Sequence, residues 1–167
     1  MNQIAQAMLA EFEQESKTTR KFLERVPADK LNWKPHPKSR TAGQLALHIA
    51  GGPGAITQMA MLDKSPVPDF TGGGPAPKNA AEIMAAFDAS NEQVRKLLPT
   101  IDDAKMSQTW SAVDAGGKVL MAVPRVAFLR SVLLNHIYHH RGQLGVYLRL
   151  LDVKVPSSYG PSADEMM

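Results

Sequence analysis

Residues 135–151 run Asn135-His136-Ile137-Tyr138-His139-His140-Arg141-Gly142-Gln143-Leu144-Gly145-Val146-Tyr147-Leu148-Arg149-Leu150-Leu151. Three of the five histidines in the chain, His136, His139 and His140, lie here. Side chains three or four apart share a helix face, so His136 can join either His139 or His140 in directing ring nitrogens to one point. The apolar residues decide between them. At about 100° per residue, Leu129, Leu133, Leu144, Tyr147 and Leu151 form a stripe centred close to His136 and His140, with His139 near its edge. The spacing predicts one long helix over 125–151 with His136 and His140 facing inward.

A pair of histidines is half a site, and the rest of the chain offers one good third ligand. His48 lies in Leu45-Ala46-Leu47-His48-Ile49, an apolar helical face on which an imidazole without a partner is costly to bury. A transition metal shared by His48, His136 and His140 would satisfy all three. Ile137 stands where a metalloprotease helix would carry glutamate after its first histidine, which excludes that chemistry. His36, between Pro35 and Pro37, is expected to be exposed or to cap a turn, and carries no assigned chemistry.

Further from this core, Ile4, Met8, Leu9, Phe12, Phe22 and Leu23 predict a first helix over 2–26. Pro27, Pro35 and Pro37 force an ordered loop. Thr41 is a natural cap for a second helix carrying Leu45, His48, Ile49, Ile56 and Met59, which Gly51-Gly52-Pro53-Gly54 is expected to interrupt in the middle. A Pro- and Gly-rich loop is expected over 65–77, a third helix over 80–98, a short hairpin within 106–119 around Asp114-Ala115-Gly116-Gly117, and an extended tail from 152. Four helices without a strand set make an all-α fold, a four-helix bundle forming a single domain over 1–167.

Composition narrows the function. With no cysteine, disulfides, thiolate zinc sites and a thiol nucleophile are excluded, so any metal needs nitrogen and oxygen ligands. The N-terminus lacks a signal-peptide pattern and no apolar run is long enough to span a bilayer, which points to the cytoplasm and away from membrane partners. The formal charge of +3 comes from scattered Lys and Arg with no dense basic block, which argues against nucleic acid as a partner.

Three stretches carry a resemblance that spans nearly the whole chain. They are Trp33-Lys34-Pro35-His36-Pro37-Lys38-Ser39 leading into Gly43-Gln44-Leu45-Ala46-Leu47-His48-Ile49-Ala50; residues 135–151; and Val155-Pro156-Ser157-Ser158-Tyr159-Gly160-Pro161-Ser162-Ala163-Asp164-Glu165. The middle one, with His-xxx-His-Arg-Gly-Gln followed by a Tyr-Leu-Arg helix, is the most specific. Together they resemble the DinB/YfiT-like metalloenzymes. The resemblance implies a four-helix bundle that binds zinc or nickel through His48, His136 and His140, often as a homodimer. It also implies a small-molecule substrate or a low-molecular-weight thiol, handled by a metal-dependent hydrolase or a thiol-dependent S-transferase. The alternative is a non-catalytic metal-binding or stress-response protein, the family's name referring to induction by DNA damage.

Three neutral imidazoles leave an open coordination position, as catalytic sites do. No carboxylate is evident as a general base. Gln143 is placed to orient a ligand or a ligating ring, or else to pack the helix, and Tyr147 to border the pocket or fill the core. Gly51-Gly52 departs from the helix formers or acidic residue that similar sequences carry there, at a cost of about 1–2 kcal/mol relative to alanine, and a kink after His48 is expected.

Overall fold

The computed structural model describes residues 1–67 and 73–166. Helix α1 spans Gln3–Leu23 and buries Ala5, Met8, Phe12, Ser16, Thr19, Phe22 and Leu23, a succession of three- and four-residue steps that makes one inward stripe. Helix α2, Ala42–Met61, opens with a reciprocal cap: Thr41 Oγ1 accepts from the Gln44 N–H at 3.1 Å, and Gln44 Oε1 accepts from the Thr41 N–H at 3.0 Å. Helix α3, Ala80–Leu97, is capped by Asn79, whose side chain accepts from the Glu82 N–H.

The interruption expected at Gly51-Gly52-Pro53-Gly54 does not occur, and α2 runs through all four residues. Pro53 has no N–H to give the Ile49 carbonyl and its ring crowds the preceding turn, and the turn is braced by side chains of α3 and of α2 itself. Ser90 Oγ accepts from the Gly54 N–H at 2.7 Å and donates to the Gly51 carbonyl at 3.4 Å, while Thr57 Oγ1 donates to the Pro53 carbonyl at 2.9 Å. The contact is close because position 54 has no side chain. A Cβ there would lie 2.4 Å from Gln93 Oε1 and 3.0 Å from Ser90 Cα.

After α3 and a short 3-10 turn come α4, Asp103–Ser107, and an antiparallel hairpin of β2, Thr109–Val113, with β3, Val119–Pro124. The hairpin uses the predicted Asp114–Gly117 turn, in which Asp114 Oδ1 accepts from the N–H groups of Gly116 and Lys118 and Gly117 takes a φ of +81°. Its second arm lies further along the chain than expected. The sequence reading missed β1, Lys64–Pro66, which pairs in parallel with β2. Residues 68–72, the middle of the loop expected over 65–77, lie outside the described residues.

The long last helix is built differently from a uniform α-helix. It begins as α5, Arg125–Phe128, passes through a π-helical segment, Leu129–Asn135, and continues as α6, His136–Leu150. The wider π turns carry more residues per turn, so Leu133 and Leu134 are both buried before the histidine pair begins. Arg125 is wholly buried where β3 meets α5. It donates to the carbonyls of Ala60, Lys105 and Leu62 at 2.7, 2.7 and 3.0 Å and to Asp63 Oδ1 at 2.6 Å, tying the end of α2 to α4.

The architecture is therefore the expected all-α bundle with a small three-stranded sheet of order β1-β2-β3 at one end. The tail is pinned back by ion pairs of Arg25 with Glu165 at 2.6 Å and Arg149 with Asp164 at 2.5 Å. Two apolar clusters fill the interior. One includes Phe12, Ile56, Leu133, Leu134 and Ile137; the other includes Phe22, Leu45, Ile49, Phe87, Leu144 and Leu148. Side chains from both clusters, Ile49 of one and Ile56 and Ile137 of the other, lie against the same three histidines, His48, His136 and His140. No helix among the described residues is long and apolar enough to cross a membrane.

Candidate metal centre

His48 stands in the second turn of α2, and His136 and His140 occupy successive turns at the start of α6. Their ligand atoms all lie within 4.8 Å of one another. His48 Nε2 is 3.3 Å from His136 Nε2, and His140 Nε2 is 2.8 Å from the same atom. Two nitrogens each about 2.0–2.1 Å from one ion, at angles between about 90° and 110°, stand about 2.9–3.4 Å apart. These two separations sit close to that range, and the third, between His48 and His140, lies within 4.8 Å. His139 is exposed on the neighbouring face, as the stripe predicted, and His36 is exposed on its loop, where its Nδ1 accepts from the Lys38 N–H at 3.2 Å.

The other ring nitrogens decide what the converging atoms are. His140 Nδ1 is 2.7 Å from Gln143 Oε1, an acceptor, and His136 is hydrogen-bonded to the backbone of Val132 in the π segment. With its Nδ1 proton committed to Gln143, His140 presents a bare Nε2 lone pair to His136 Nε2 at 2.8 Å. A cation among the three rings would take up that lone pair together with those of His48 and His136. The donor set therefore fits a divalent transition metal, with Gln143 and the Val132 carbonyl orienting its ligands.

Electrostatics keep the three rings in the ligating form. His48 is depressed to about 3, first by burial and then by His140, Arg40 and His136. His136 is depressed to about 4, first by burial and then by His140, His139 and Arg40. Burial also lowers His140, against the opposing effect of the Gln143 hydrogen bond. All three are thus neutral near pH 7. A cavity of about 10 Å³ lies against the three rings and is closed by Ile49, Gly52, Pro53, Ile56 and Ile137; that is about the volume of one small occupant.

On the other side of His140 opens a much larger cavity of about 870 Å³. His139, His140, Gln143 and Tyr147 line it from α6, and the loop from Lys34 to Thr41 lines the opposite wall. Tyr147 has both of its expected characters: its ring borders the cavity, packed edge-on to Trp33 with centroids 5.6 Å apart, and its hydroxyl donates to the Arg40 carbonyl at 3.2 Å. Arg40 is a residue lining this cavity that sequence reasoning missed. Its signal was the basic spacing Lys34, Lys38, Arg40 directly before the Thr41 cap.

A helical bundle whose second and last long helices bring three neutral imidazoles to a point defines a class of protein with a histidine-only site able to hold a metal ion. The DinB family model matches residues 1–167, and the chain belongs to the DinB family. It is 28% identical to protein YrdA of Bacillus subtilis over 170 residues, covering 99% of this chain and 93% of YrdA. Its fold is similar to the crystal structure of a DinB-like protein from Bacillus cereus, with a TM-score of 0.71, 26% identity, and coverage of 92% of this chain and 97% of that one. A DinB-like protein from B. subtilis, YjoA, shares the fold at a TM-score of 0.69 with 18% identity, covering 90% of this chain and 96% of that one.

Proposed function

We propose that this protein is a metal-dependent enzyme acting on a small molecule, with zinc or nickel held by His48, His136 and His140. The observation that carries the reading is the convergence of three imidazole Nε2 atoms, with His140 Nδ1 held on Gln143 Oε1. A divalent ion in such a site supplies Lewis acidity and a free coordination position for a thiolate or carbonyl group. The chain's own residues do the rest: Gln143 and the Val132 carbonyl hold the ring planes, burial keeps the imidazoles unprotonated, and Ile49, Ile56 and Ile137 keep bulk water from the inner side. The large cavity against His140 supports a site that receives a substrate rather than a closed structural one. The chemistry this favours is hydrolysis or transfer of a low-molecular-weight thiol. Nitrogen donors alone accept either metal, so cellular supply selects between them.

The test is metal content by elemental analysis of untagged protein, wild type beside His48→Ala and His136→Ala. About one equivalent in the wild type and none in either variant is the expected result. Metal retained in both variants, or absent from the wild type after growth with zinc and nickel, overturns the three-histidine site. Metal-loaded wild type is then assayed with simple esters, amides and thiol conjugates, where turnover lost in His140→Ala marks an enzyme.

A further inference from the structure

The cavity of about 870 Å³ beside the candidate metal centre has an unbalanced wall. Lys34, Lys38 and Arg40 line it, and among the described residues lining it there is no carboxylate. Neutral histidines bring no negative charge either, so a divalent ion at the centre would stand beside three further cations with nothing in the described wall to offset them. Such a field falls on whatever enters.

Arg40 is fixed in this wall at several points. Its Nε donates to the Gly73 carbonyl at 3.0 Å, its own carbonyl accepts from the Tyr147 hydroxyl at 3.2 Å, and the next residue caps α2. Gly73 adopts a φ of +79°, and a Cβ there would lie 3.4 Å from Arg40 Cγ, so the glycine turn passes close along the arginine stem. The two terminal guanidinium nitrogens have no partner among the described residues, nor does the Lys38 ammonium. Lys34 makes one bond, to the Pro37 carbonyl at 3.1 Å. A guanidinium held by its Nε with its other donors open is arranged to take two oxygens of one anionic group.

We propose that this cavity recognises its small-molecule ligand through a carboxylate or phosphate group, bound by Arg40 with Lys38 and Lys34, while another part of the ligand reaches the centre past His140. The inference deepens the proposed function and rests on its reading of a metal site serving a small-molecule substrate. The volume lies within the range of about 300–1,000 Å³ common for small-molecule sites. Arg40 acts here as a specificity residue, and none of the three cations ligates the metal.

The experiment is equilibrium dialysis of the full chain against radiolabelled succinate and, separately, inorganic phosphate, with the zinc-loaded protein and with chelator-treated protein. Neutral succinamide serves as a competitor. Saturable binding of one of the anions is expected in both forms of the protein, undisturbed by succinamide and weakened by salt, and the anion that binds tighter assigns the group as carboxylate or phosphate. Arg40→Gln is expected to weaken it about tenfold or more, and Arg40→Lys less, since the charge is kept and only the fork is lost. Arg95→Gln, a remote exposed cation, leaves binding unchanged. Binding of neither anion, displacement by succinamide, or affinity indifferent to Arg40→Gln overturns the proposal. Anion binding that requires zinc and ignores Arg40 shows the metal alone to be the receptor, which also overturns it. Failure of the metal site instead leaves a protein without metal that still binds the anion through Arg40, so the two readings fail separately.

Discussion

Gln143→Leu removes one acceptor from the proposed metal centre and little else. The side chain is exposed, and its Oε1 stands 2.7 Å from His140 Nδ1. A hydrogen bond between neutral groups contributes about 1 kcal/mol net, or roughly fivefold in an equilibrium. When a ring ligates a cation its remaining N–H becomes more acidic, and hydrogen bonds involving charge contribute about 1.5–3 kcal/mol, or roughly tenfold to a hundredfold. Water competes at this exposed position, so the expected loss lies near the lower figure, about tenfold in zinc affinity. Competition against a chromophoric zinc chelator measures it, and the denaturant midpoint of the metal-free variant should stay within about 0.5 kcal/mol of wild type. His139→Ala, on the exposed face, is expected to leave affinity unchanged. If Gln143→Leu binds zinc as tightly as wild type, the side chain does not hold the ring, and the tautomer argument for His140 fails with it.

The metal-free protein should lose stability as pH falls from 6.5. His48 and His136 are depressed in the fold to about 3 and about 4, so the unfolded chain binds more protons throughout that interval. Stability is therefore complete above about pH 6.5 and declines toward the folded-state values. Allowing for solvent at these half-buried rings, the loss between pH 7 and pH 5 is about 2 kcal/mol; urea midpoints that decline equally in a His48→Ala/His136→Ala variant would refute the assignment. Arg125→Ala should cost about 1–3 kcal/mol because it leaves the buried Ala60 carbonyl and the part-buried carbonyls of Lys105 and Leu62 without their donor, while the exposed Asp63 is re-solvated, and a change under about 0.5 kcal/mol in urea denaturation would show the clamp to be dispensable. Two alanine substitutions in α2 should have opposite signs: Gly54→Ala destabilises by about 1–3 kcal/mol through overlap with α3, whereas a Cβ at Gly51 meets nothing within 4 Å and Gly51→Ala stabilises by about 0.5–1 kcal/mol.

The histidine triangle was legible because it rests on periodicity. His136 and His140 keep a four-residue spacing inside an apolar stripe, and His48 interrupts a run of Leu, Ala and Ile that has no other use for a polar group. The four long helices follow from the same signal, and Thr41 was visible as a cap from its chemistry alone. Features fixed by contacts between distant segments were not visible. Gly51-Gly52-Pro53-Gly54 looks like a break until Ser90, on another helix, is found bonding across it. A three-residue strand containing Pro66 has no periodicity to detect, and it pairs only because β2 lies alongside. The π segment leaves the residue types unchanged and alters only their angle. Arg125 follows Pro124 like any polar residue opening a helix, and nothing local shows that four acceptors will close around it.

The π segment and the basic loop approach the site from opposite sides, and each addresses a problem the histidines create. Three imidazoles set between two apolar clusters would be a poorly satisfied polar layer in a plain bundle. The Val132 backbone in the π segment gives His136 a partner, Gln143 gives His140 another, and burial keeps the rings neutral, so the layer is organised around one point. An ion at that point would bring positive charge with no protein carboxylate among the three ligands to neutralise it. The cations of the loop before α2 raise that charge further, and the loop is anchored to the same helix as the ligands through Tyr147. A protein that only stored or sensed a metal would gain from an acidic residue at this wall. Among the described residues of the wall, lysine and arginine disfavour the bare ion and favour the ion together with an anionic guest, the arrangement on which the proposed anion site rests.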